Sequence, residues 1–268
     1  MQAHAAVADG QGRFTIEVVD VSAPIGDEVL VEIKAAGICH TDHASLNWKR
    51  PLIMGHEGAG VVRAVGPTVK HVKAGDPVVL NWAVPCGVCF QCQQGHAVLC
   101  EDSKPAYVME RSNAHARPDG TTWNGTPLDR SFNIGTLCSM TLVRAPAVTP
   151  LPAEVPFAAA AIVGCGVMTG FGSVVNVAKV AAGSSVAVMG CGGVGLNIIQ
   201  AARLNQAAII IAIDFREPSL QQAKRFGATH TILANPSDSD FDELSKQVKE
   251  LTSGRGADYA FEATSVPT

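Results

Sequence analysis

The segment Ser185-Val-Ala-Val-Met189, followed by Gly190-Cys-Gly-Gly-Val-Gly195, is the most informative part of this 268-residue chain for its fold. The first five residues form an apolar run that predicts a buried strand, and the next six fit G-x-G-x-x-G. That pattern alone is weak, but its place between a predicted strand and a predicted helix favours a dinucleotide site over a ligand-free turn. The helix N-terminus would bind a pyrophosphate through its free N–H groups and dipole. We therefore predict that the cofactor is bound by Gly190, Gly192, Gly193 and Gly195.

Strands and helices alternate after this segment. Further strands are predicted at 209–214, 229–233 and 257–263, and helices at 190–205, 218–226 and 241–252. This alternation predicts a parallel, doubly wound sheet. Asp214 ends the second strand, where a carboxylate accepts hydrogen bonds from a ribose diol. The same charge repels a 2′-phosphate, so NAD is favoured over NADP, although Arg216 lies close by.

The first half of the chain consists of short predicted strands at 28–34, 58–65 and 77–80, punctuated by Gly-Pro and Gly-Asp-Pro turns. We expect a β-rich domain over residues 1–165 and a dinucleotide-binding domain over residues 166–268. Residues 103–130 are polar, contain three prolines and show no clear period. We interpret them as a long surface excursion, a lid or a subunit contact.

The composition excludes some functions. A net charge of −4 and a pI near 6.0 argue against a nucleic-acid binder and fit a cytoplasmic enzyme for small substrates. Charged residues make up only 16% of the chain, which favours a homo-oligomer that buries part of this surface. Residues 155–178 carry no charge and are long enough to span a bilayer, but their many glycines favour a buried helix and no membrane.

Four cysteines lie within fifteen residues and follow the spacing C-x2-C-x2-C-x7-C. Four thiolates this close can surround one tetrahedral zinc ion with no open position, as in a structural site. An iron–sulfur cluster and a nucleic-acid zinc ribbon are the alternatives, and the second is disfavoured because the segment contains no Lys or Arg. The structural zinc ligands predicted for segment 86–100 are Cys86, Cys89, Cys92 and Cys100.

A second group of metal-binding residue types is dispersed. Cys39 lies in Gly37-Ile-Cys-His-Thr-Asp42, His56 in Gly55-His-Glu-Gly58, and Cys165 in Gly164-Cys-Gly166. Two cysteines and one histidine would make a catalytic zinc site with one open position. Spacing alone does not show that the three converge, since a single buried cysteine is more often a small core residue.

These elements, in this order, resemble the medium-chain, zinc-containing alcohol dehydrogenase family over the whole chain. The resemblance implies a GroES-like catalytic domain, a Rossmann domain, two zinc ions per chain, and reversible oxidation of an alcohol with NAD. It implies that Cys39, His56 and Cys165 bind the catalytic zinc. It also places Glu57 behind the metal as an exchangeable ligand, and Asp42 as the partner that orients His56.

The resemblance assigns further roles near the substrate and cofactor. Thr41 corresponds to the residue that takes the substrate proton, although a threonine here also suits a helix cap. His40 corresponds to a residue that meets the cofactor pyrophosphate, and Thr169 and Val194 to residues near the nicotinamide. Many members continue the proton relay through a histidine three residues after Thr41. Ala44 stands there, so we expect a shorter relay that ends in water.

The substrate is inferred from residues 45–52, which are few and contain no carboxylate. Glutathione-dependent members have a longer, acidic segment there, so a glutathione adduct is disfavoured. Trp48 suggests an apolar, aromatic wall of the substrate pocket, although it could equally pack the lid. We expect the substrate to be a primary alcohol, with aromatic alcohols included. Only four strands are predicted after Ser184, whereas a complete dinucleotide-binding sheet usually has six. We therefore expect a Rossmann domain incomplete at its C-terminal end, and the alternative function is a catalytically incompetent zinc- and nucleotide-binding fragment.

Overall fold

A computed structural model describes residues 1–101, 117–238 and 240–264 of the chain. These residues form two compact units, Met1–Cys165 and Gly166–Thr268. The first unit is built from two mainly antiparallel sheets, and the second from a parallel sheet with helices on both faces. Residues 103–116 of the predicted surface excursion lie outside the described residues.

The first unit contains eleven described strands. Their bounds are β1 Gln2–Ala8, β2 Phe14–Val21, β3 Glu28–Gly37, β4 Leu52–Ile53, β5 Glu57–Val65, β6 Pro77–Leu80, β7 Thr121–Trp123, β8 Thr126–Pro127, β9 Asp129–Arg130, β10 Met140–Arg144 and β11 Val148–Pro150. The order is β8-β7-β2-β1-β4-β9 in one sheet and β10-β3-β5-β6-β11 in the other. The strands predicted from sequence correspond to β3, β5 and β6, whereas β1 and β2 were not predicted.

The core of the first unit follows the two-residue period of its strands. In β3, the side chains of Val29 and Val31 face one hydrophobic cluster, while that of Leu30 faces the cluster shared with β1 and β2. Three short helices, α1 His40–Ser45, α2 Phe90–Gln93 and α3 Phe157–Ala161, connect or cover these strands. The described end of the expected excursion, residues 117–130, is an ordered part of the sheet, because Thr121 and Thr122 pair with β2.

The second unit contains four parallel strands in the order β14-β13-β12-β15. The strands are β12 Ser185–Met189, β13 Ile209–Asp214, β14 His230–Leu233 and β15 Tyr259–Glu262, and the helices are α4 Met168–Gly172, α5 Gly193–Leu204, α6 Glu217–Phe226 and α7 Asp242–Leu251. Both faces of the sheet are buried: Val186 and Val188 pack under α5 and α6, and Ala187 packs on the face covered by α7. This burial explains why β12 and β13 are continuous apolar runs.

One apolar helical run, Phe157–Ala178, differs from its sequence interpretation. It is the one helix among the described residues that is long and apolar enough to cross a membrane, with a mean hydropathy of 1.8. We expected it to be buried, but only 28% of its most apolar window is. Ile162, Phe171 and Val177 are exposed because the helix packs through its small residues, which leaves larger ones outward. Segments Val163–Val167 and Ser173–Ala178 are π-helical.

Candidate active site

The paired strands β3 and β5 bring two of the predicted metal ligands together. Gly37, the last residue of β3, lies directly opposite Glu57, the first residue of β5. Cys39 follows β3 by two residues, and His56 immediately precedes β5. The antiparallel register therefore places Cys39 and His56 at the same end of the sheet, although they are seventeen positions apart along the chain.

The third predicted ligand arrives on a π-helical segment. Cys165 lies in Val163–Val167, and such π-bulges occur frequently at functional sites. A Cβ atom on the preceding residue, Gly164, would lie 2.0 Å from the carbonyl oxygen of Leu80. The glycine thus lets the helix approach the end of β6, and this approach places Cys165 Sγ 3.5 Å from His56 Nε2.

The dispersed residues converge on one point. The ligand atoms of Cys39, His56, Glu57 and Cys165 all lie within 4.8 Å of one another. His56 and Glu57 are buried, with 1% and 6% of their surface exposed. The sequence left this convergence open, and it requires the strand pairing and the helix approach described above.

The protonation of this cluster shows that it suits a cation. Hydrogen bonds from Cys165 and His56 lower the pKa of the Cys39 thiol to about 3, so Cys39 is a thiolate. The hydrogen bond and charge of Cys39, together with burial, raise the pKa of Cys165. Burial raises the pKa of Glu57, and the Cys39 charge adds to this effect. The raised pKa values mean that further negative charge beside the Cys39 thiolate is unfavourable in the empty site. A divalent cation bound by thiolate and imidazole ligands would offset this charge and favour the deprotonated form of Cys165.

Asp42 organises the cluster from the N-terminal turn of α1. One carboxylate oxygen lies 3.0 Å from His56 Nδ1, and the other accepts a hydrogen bond of 2.9 Å from the backbone N–H of Cys39. Burial alone would lower the pKa of His56, but the hydrogen bonds to Asp42 and Cys39 outweigh it and raise that pKa to about 9. The contact at Nδ1 leaves Nε2 directed towards Cys165, as a metal ligand requires.

Thr41 lies beside the same cluster. Its hydroxyl oxygen is 3.7 Å from Cys39 Sγ, and the residue is half-buried. The N-cap of α1 is Cys39, so the alternative interpretation of Thr41 as the helix cap is wrong. His40 and His43 are exposed on the same helix, with ring centroids 6.3 Å apart.

An aromatic cluster adjoins His56, and the sequence indicated only one of its members. The ring of Phe132 lies 4.5 Å from the ring of His56, 5.9 Å from Trp48 and 5.1 Å from Trp82. Phe132 has φ 49° and ψ 29°, a left-handed conformation that is strained for a bulky residue. No motif surrounds Phe132 or Trp82, and residue type alone would not have separated them from core aromatics.

The four clustered cysteines form a second donor set in the first unit. The sulfur atoms of Cys86, Cys89, Cys92 and Cys100 all lie within 4.8 Å of one another, and all eight cysteines of the chain are free thiols. Helix α2 begins at this loop, with Cys89 as its N-cap. Hydrogen bonds from backbone N–H groups, first that of Cys92, lower the pKa of Cys89 to about 6. Four thiols in this arrangement fit a closed tetrahedral site.

In the second unit, the glycine-rich turn has the geometry that a phosphate needs. Gly190 has φ 87°, and Gly192 is the N-cap of α5. A Cβ atom on Gly192 or Gly193 would have no neighbour within 4 Å, whereas one on Gly195 would lie 1.8 Å from the Gly190 carbonyl oxygen. The N-terminus of α5 is thus open to a ligand at Gly192 and Gly193. At Gly195 the same helix packs closely against the residue that follows β12.

A cavity of about 470 Å³ lies beside this turn, at the carboxyl ends of the strands. Asp214 lines the cavity, and its carboxylate accepts hydrogen bonds from the backbone N–H groups of Cys191, at 2.8 Å, and Arg216, at 2.9 Å. A carboxylate has about four acceptor positions, so it retains capacity for a ribose hydroxyl. Ligands of doubly wound sheets bind at this edge.

The remaining two predicted cofactor residues lie on packed helices of the same unit. Thr169 is in α4 and Val194 is in α5. A Cβ atom on Gly170 would lie 2.5 Å from the Val194 carbonyl oxygen, so the helices touch next to Thr169.

Two family profiles match the chain. The profile described as "Alcohol dehydrogenase GroES-like domain" matches residues 26–153, and "Zinc-binding dehydrogenase" matches residues 193–268. Among curated proteins, the S-(hydroxymethyl)glutathione dehydrogenase of Escherichia coli O1:K1 / APEC is 39% identical over 98% of this chain and 71% of its own length. The alcohol dehydrogenase class-3 of Cereibacter sphaeroides is 37% identical over 98% and 72%, respectively.

Solved structures show the same similarity. The alcohol dehydrogenase zinc-binding domain protein from Burkholderia ambifaria superposes with a TM-score of 0.87 at 38% identity, covering 100% of this chain and 72% of that one. The benzyl alcohol dehydrogenase from Acinetobacter calcoaceticus superposes with a TM-score of 0.82 at 33% identity, with coverages of 100% and 72%.

A β-rich unit with a thiolate–imidazole donor set and a dinucleotide-type parallel sheet together define a metal-dependent oxidoreductase. The family profiles and the curated relatives identify which family of oxidoreductases this is. The chain belongs to the medium-chain, zinc-dependent alcohol dehydrogenase family, and it is an NAD-dependent alcohol oxidoreductase with a GroES-like and a Rossmann-type domain. The fold class and the family predicted from the sequence are therefore confirmed.

Proposed function

We propose that this protein oxidises a primary alcohol, with an aromatic one preferred, to its aldehyde with NAD. The convergence of Cys39, His56 and Cys165 on one point carries this proposal, because two cysteine sulfurs and one imidazole are the ligand set of a catalytic zinc site, in which the fourth position is left for substrate. We assign a catalytic zinc to these three residues and a structural zinc to Cys86, Cys89, Cys92 and Cys100. When bound, a catalytic zinc supplies a Lewis acid that polarises the substrate oxygen.

The surrounding residues have distinct tasks in this proposal. Asp42 holds the His56 ring with Nε2 towards the other ligands. Glu57 adds a carboxylate beside them as an exchangeable donor. The Thr41 hydroxyl, next to Cys39, accepts the substrate proton and passes it on. Since Ala44 carries no titratable group, water completes the relay. His40 contacts the cofactor pyrophosphate.

The cofactor assignment rests on the cavity of the second unit. The N–H groups at Gly192 and Gly193 bind the pyrophosphate, Gly190 and Gly195 shape the turn, and Asp214 binds the ribose. Thr169 and Val194 contact the nicotinamide side. The Asp214 carboxylate favours NAD over NADP because it repels a 2′-phosphate.

The aromatic cluster supports an aromatic substrate. Phe132 packs against His56, and Trp48 and Trp82 pack against Phe132. Planar rings interact preferentially by offset or edge-to-face contacts, which an aromatic substrate can make. The similarity to a benzyl alcohol dehydrogenase agrees with this preference. Other relatives act on S-(hydroxymethyl)glutathione, but residues 45–52 contain no carboxylate, and Arg50 is paired with Asp129 at 3.3 Å. Homo-oligomerisation and a cytoplasmic location stay predictions from composition.

Metal counting combined with turnover tests the proposal. We expect two zinc ions per chain, one in Cys165→Ser, and NADH formation that is faster with benzyl alcohol than with ethanol or S-(hydroxymethyl)glutathione. Zinc binding without turnover on any alcohol would favour the alternative, a zinc- and nucleotide-binding protein that lacks catalysis. Unchanged zinc content in Cys165→Ser would show that the ligand assignment is wrong.

A further inference from the structure

The position of the Glu57 carboxylate depends on a residue that has no side chain. Gly37 and Glu57 form the last directly opposed pair of strands β3 and β5. A Cβ atom on Gly37 would lie 2.0 Å from Glu57 Oε2, 3.0 Å from its Cδ and 3.1 Å from its Cβ. The carboxylate therefore occupies the space that any other residue at position 37 would fill.

Among the described residues, the Glu57 side chain is the one feature that accounts for a glycine at this position. The φ angle of Gly37 lies outside the left-handed region, so other residues can adopt its backbone conformation. The three nearest atoms to its added Cβ all belong to the Glu57 side chain. Gly60, in contrast, lies against the backbone carbonyl of Glu32, where a side chain would disturb the sheet itself.

The carboxylate cannot move away freely. Glu57 is only 6% exposed, and its ligand oxygen already lies within 4.8 Å of the donor atoms of Cys39, His56 and Cys165. A methyl group at position 37 would displace the carboxylate by more than 1 Å to restore an ordinary contact of about 3.4 Å. Metal sites respond to displacements of this size, because the surrounding groups set ligand orientation and metal affinity.

We propose that Gly37 is a positioning residue of the active site: its missing side chain forms the seat that holds the Glu57 carboxylate beside the three metal ligands. This inference rests on the proposed catalytic metal centre. In this proposal Gly37 does not itself contact metal, cofactor or substrate. It affects the metal site only through the position of the Glu57 carboxylate.

A double-mutant cycle on cobalt-substituted protein tests this inference. We expect Gly37→Ala to alter the visible cobalt spectrum. In the zinc-loaded protein, we expect it to accelerate zinc release to a chelator about tenfold, a size typical for groups around metal ligands. The Glu57→Ala background removes Oε2 and Cδ and leaves only the Cβ contact at 3.1 Å, so there Gly37→Ala should change both quantities much less. The control is Gly166→Ala, a glycine also next to a ligand, whose added Cβ meets nothing within 4 Å.

The outcomes separate this inference from the proposed function. A spectrum and a release rate unchanged in Gly37→Ala would overturn it, as would an equal effect of Gly37→Ala with and without Glu57. If Gly37→Ala fails to fold, folding of the double variant supports the inference, and its failure overturns it. If Cys165→Ser binds as much cobalt as the parent protein, the proposed metal centre itself is wrong.

Discussion

At the scale of single residues, Asp42 links two of the proposed metal ligands. It is 1% exposed, and its two oxygens contact the His56 ring and the Cys39 backbone N–H at 3.0 and 2.9 Å. A buried carboxylate in this role fixes both the ring orientation of the histidine and the start of helix α1. Loss of the carboxylate should therefore affect the metal more than the fold.

We expect Asp42→Ala to weaken zinc binding at the Cys39 site about 10- to 100-fold, the usual range for a lost partner of a metal-bound histidine. Competition with a chelator, followed by zinc counting, measures this effect. Zinc at the four-cysteine site should remain bound under the same conditions. An unchanged affinity would show that His56 does not depend on Asp42 for its orientation.

Asp214 is the residue that sets the cofactor preference in our proposal. Asp214→Ala should raise the Michaelis constant for NAD and reduce discrimination against NADP, because it removes both an acceptor for the ribose and a charge that repels a 2′-phosphate. Its carboxylate also accepts hydrogen bonds from Cys191 and Arg216, so melting temperatures must be compared in parallel. The measurement is the ratio of kcat/KM for the two cofactors, and an unchanged ratio would contradict the assignment.

At the scale of elements, the start of helix α5 shows that glycines within one motif have different tasks. Gly195 is needed for packing, since its Cβ would lie 1.8 Å from a backbone oxygen of Gly190 that cannot rotate away. A Cβ atom on Gly193 would meet no atom within 4 Å, so packing does not require glycine there. We therefore expect Gly193 to be needed for close approach of the cofactor.

We predict that Gly195→Ala lowers the free energy of unfolding by about 3 kcal/mol, the upper end of the usual range for overpacking. Gly193→Ala is the matched control, and its unfolding free energy should stay close to that of the parent protein while affinity for NAD falls. Urea denaturation of both variants checks the pair. Equal destabilisation by the two substitutions would show that the close contact between Gly195 and the Gly190 carbonyl does not determine the loss of stability.

Elements also explain which parts of the site were visible in the sequence. Strand β3 and strand β5 were each predicted, but the pairing of Gly37 with Glu57 depends on a register that no local pattern specifies. The short segment around Phe132 has no periodicity at all, and its role follows only from contacts with His56, Trp48 and Trp82.

At the scale of the whole molecule, Asp258 connects two segments of the second unit that are 73 positions apart along the chain. Its carboxylate accepts hydrogen bonds of 2.8 Å from the backbone N–H and the hydroxyl of Ser185, at the start of β12, and Asp258 itself precedes β15. These hydrogen bonds, with that from the backbone N–H first, lower the pKa of Asp258 below its ordinary value of 3.8. The contact therefore connects β12 and β15, which are neighbours in the sheet but are its first and last described strands in chain order.

This lowered pKa gives stability a definite pH dependence. A carboxylate whose pKa is depressed in the folded state stabilises that state above its unfolded pKa, and this contribution is lost as pH falls through the folded pKa. We expect Asp258→Asn to melt at a lower temperature than the parent at pH 7, with a difference that shrinks as pH falls below about 4. Calorimetry from pH 7 to pH 3 checks this, and a difference that does not vary with pH would contradict it.

The fold class, the family, the glycine-rich turn and the residue types of both candidate metal sites could be predicted from the sequence, because these depend on spacing within short segments. Burial of the helical run Phe157–Ala178 was predicted wrongly, since composition does not show which helix face finds a partner. Three further relationships required the folded chain: Cys39, His56 and Cys165 converge, Phe132 contacts two tryptophans beside them, and Gly37 leaves space for Glu57. These relationships join residues up to 126 positions apart, and strand register and helix approach fix them through contacts that are formed only when the chain is packed.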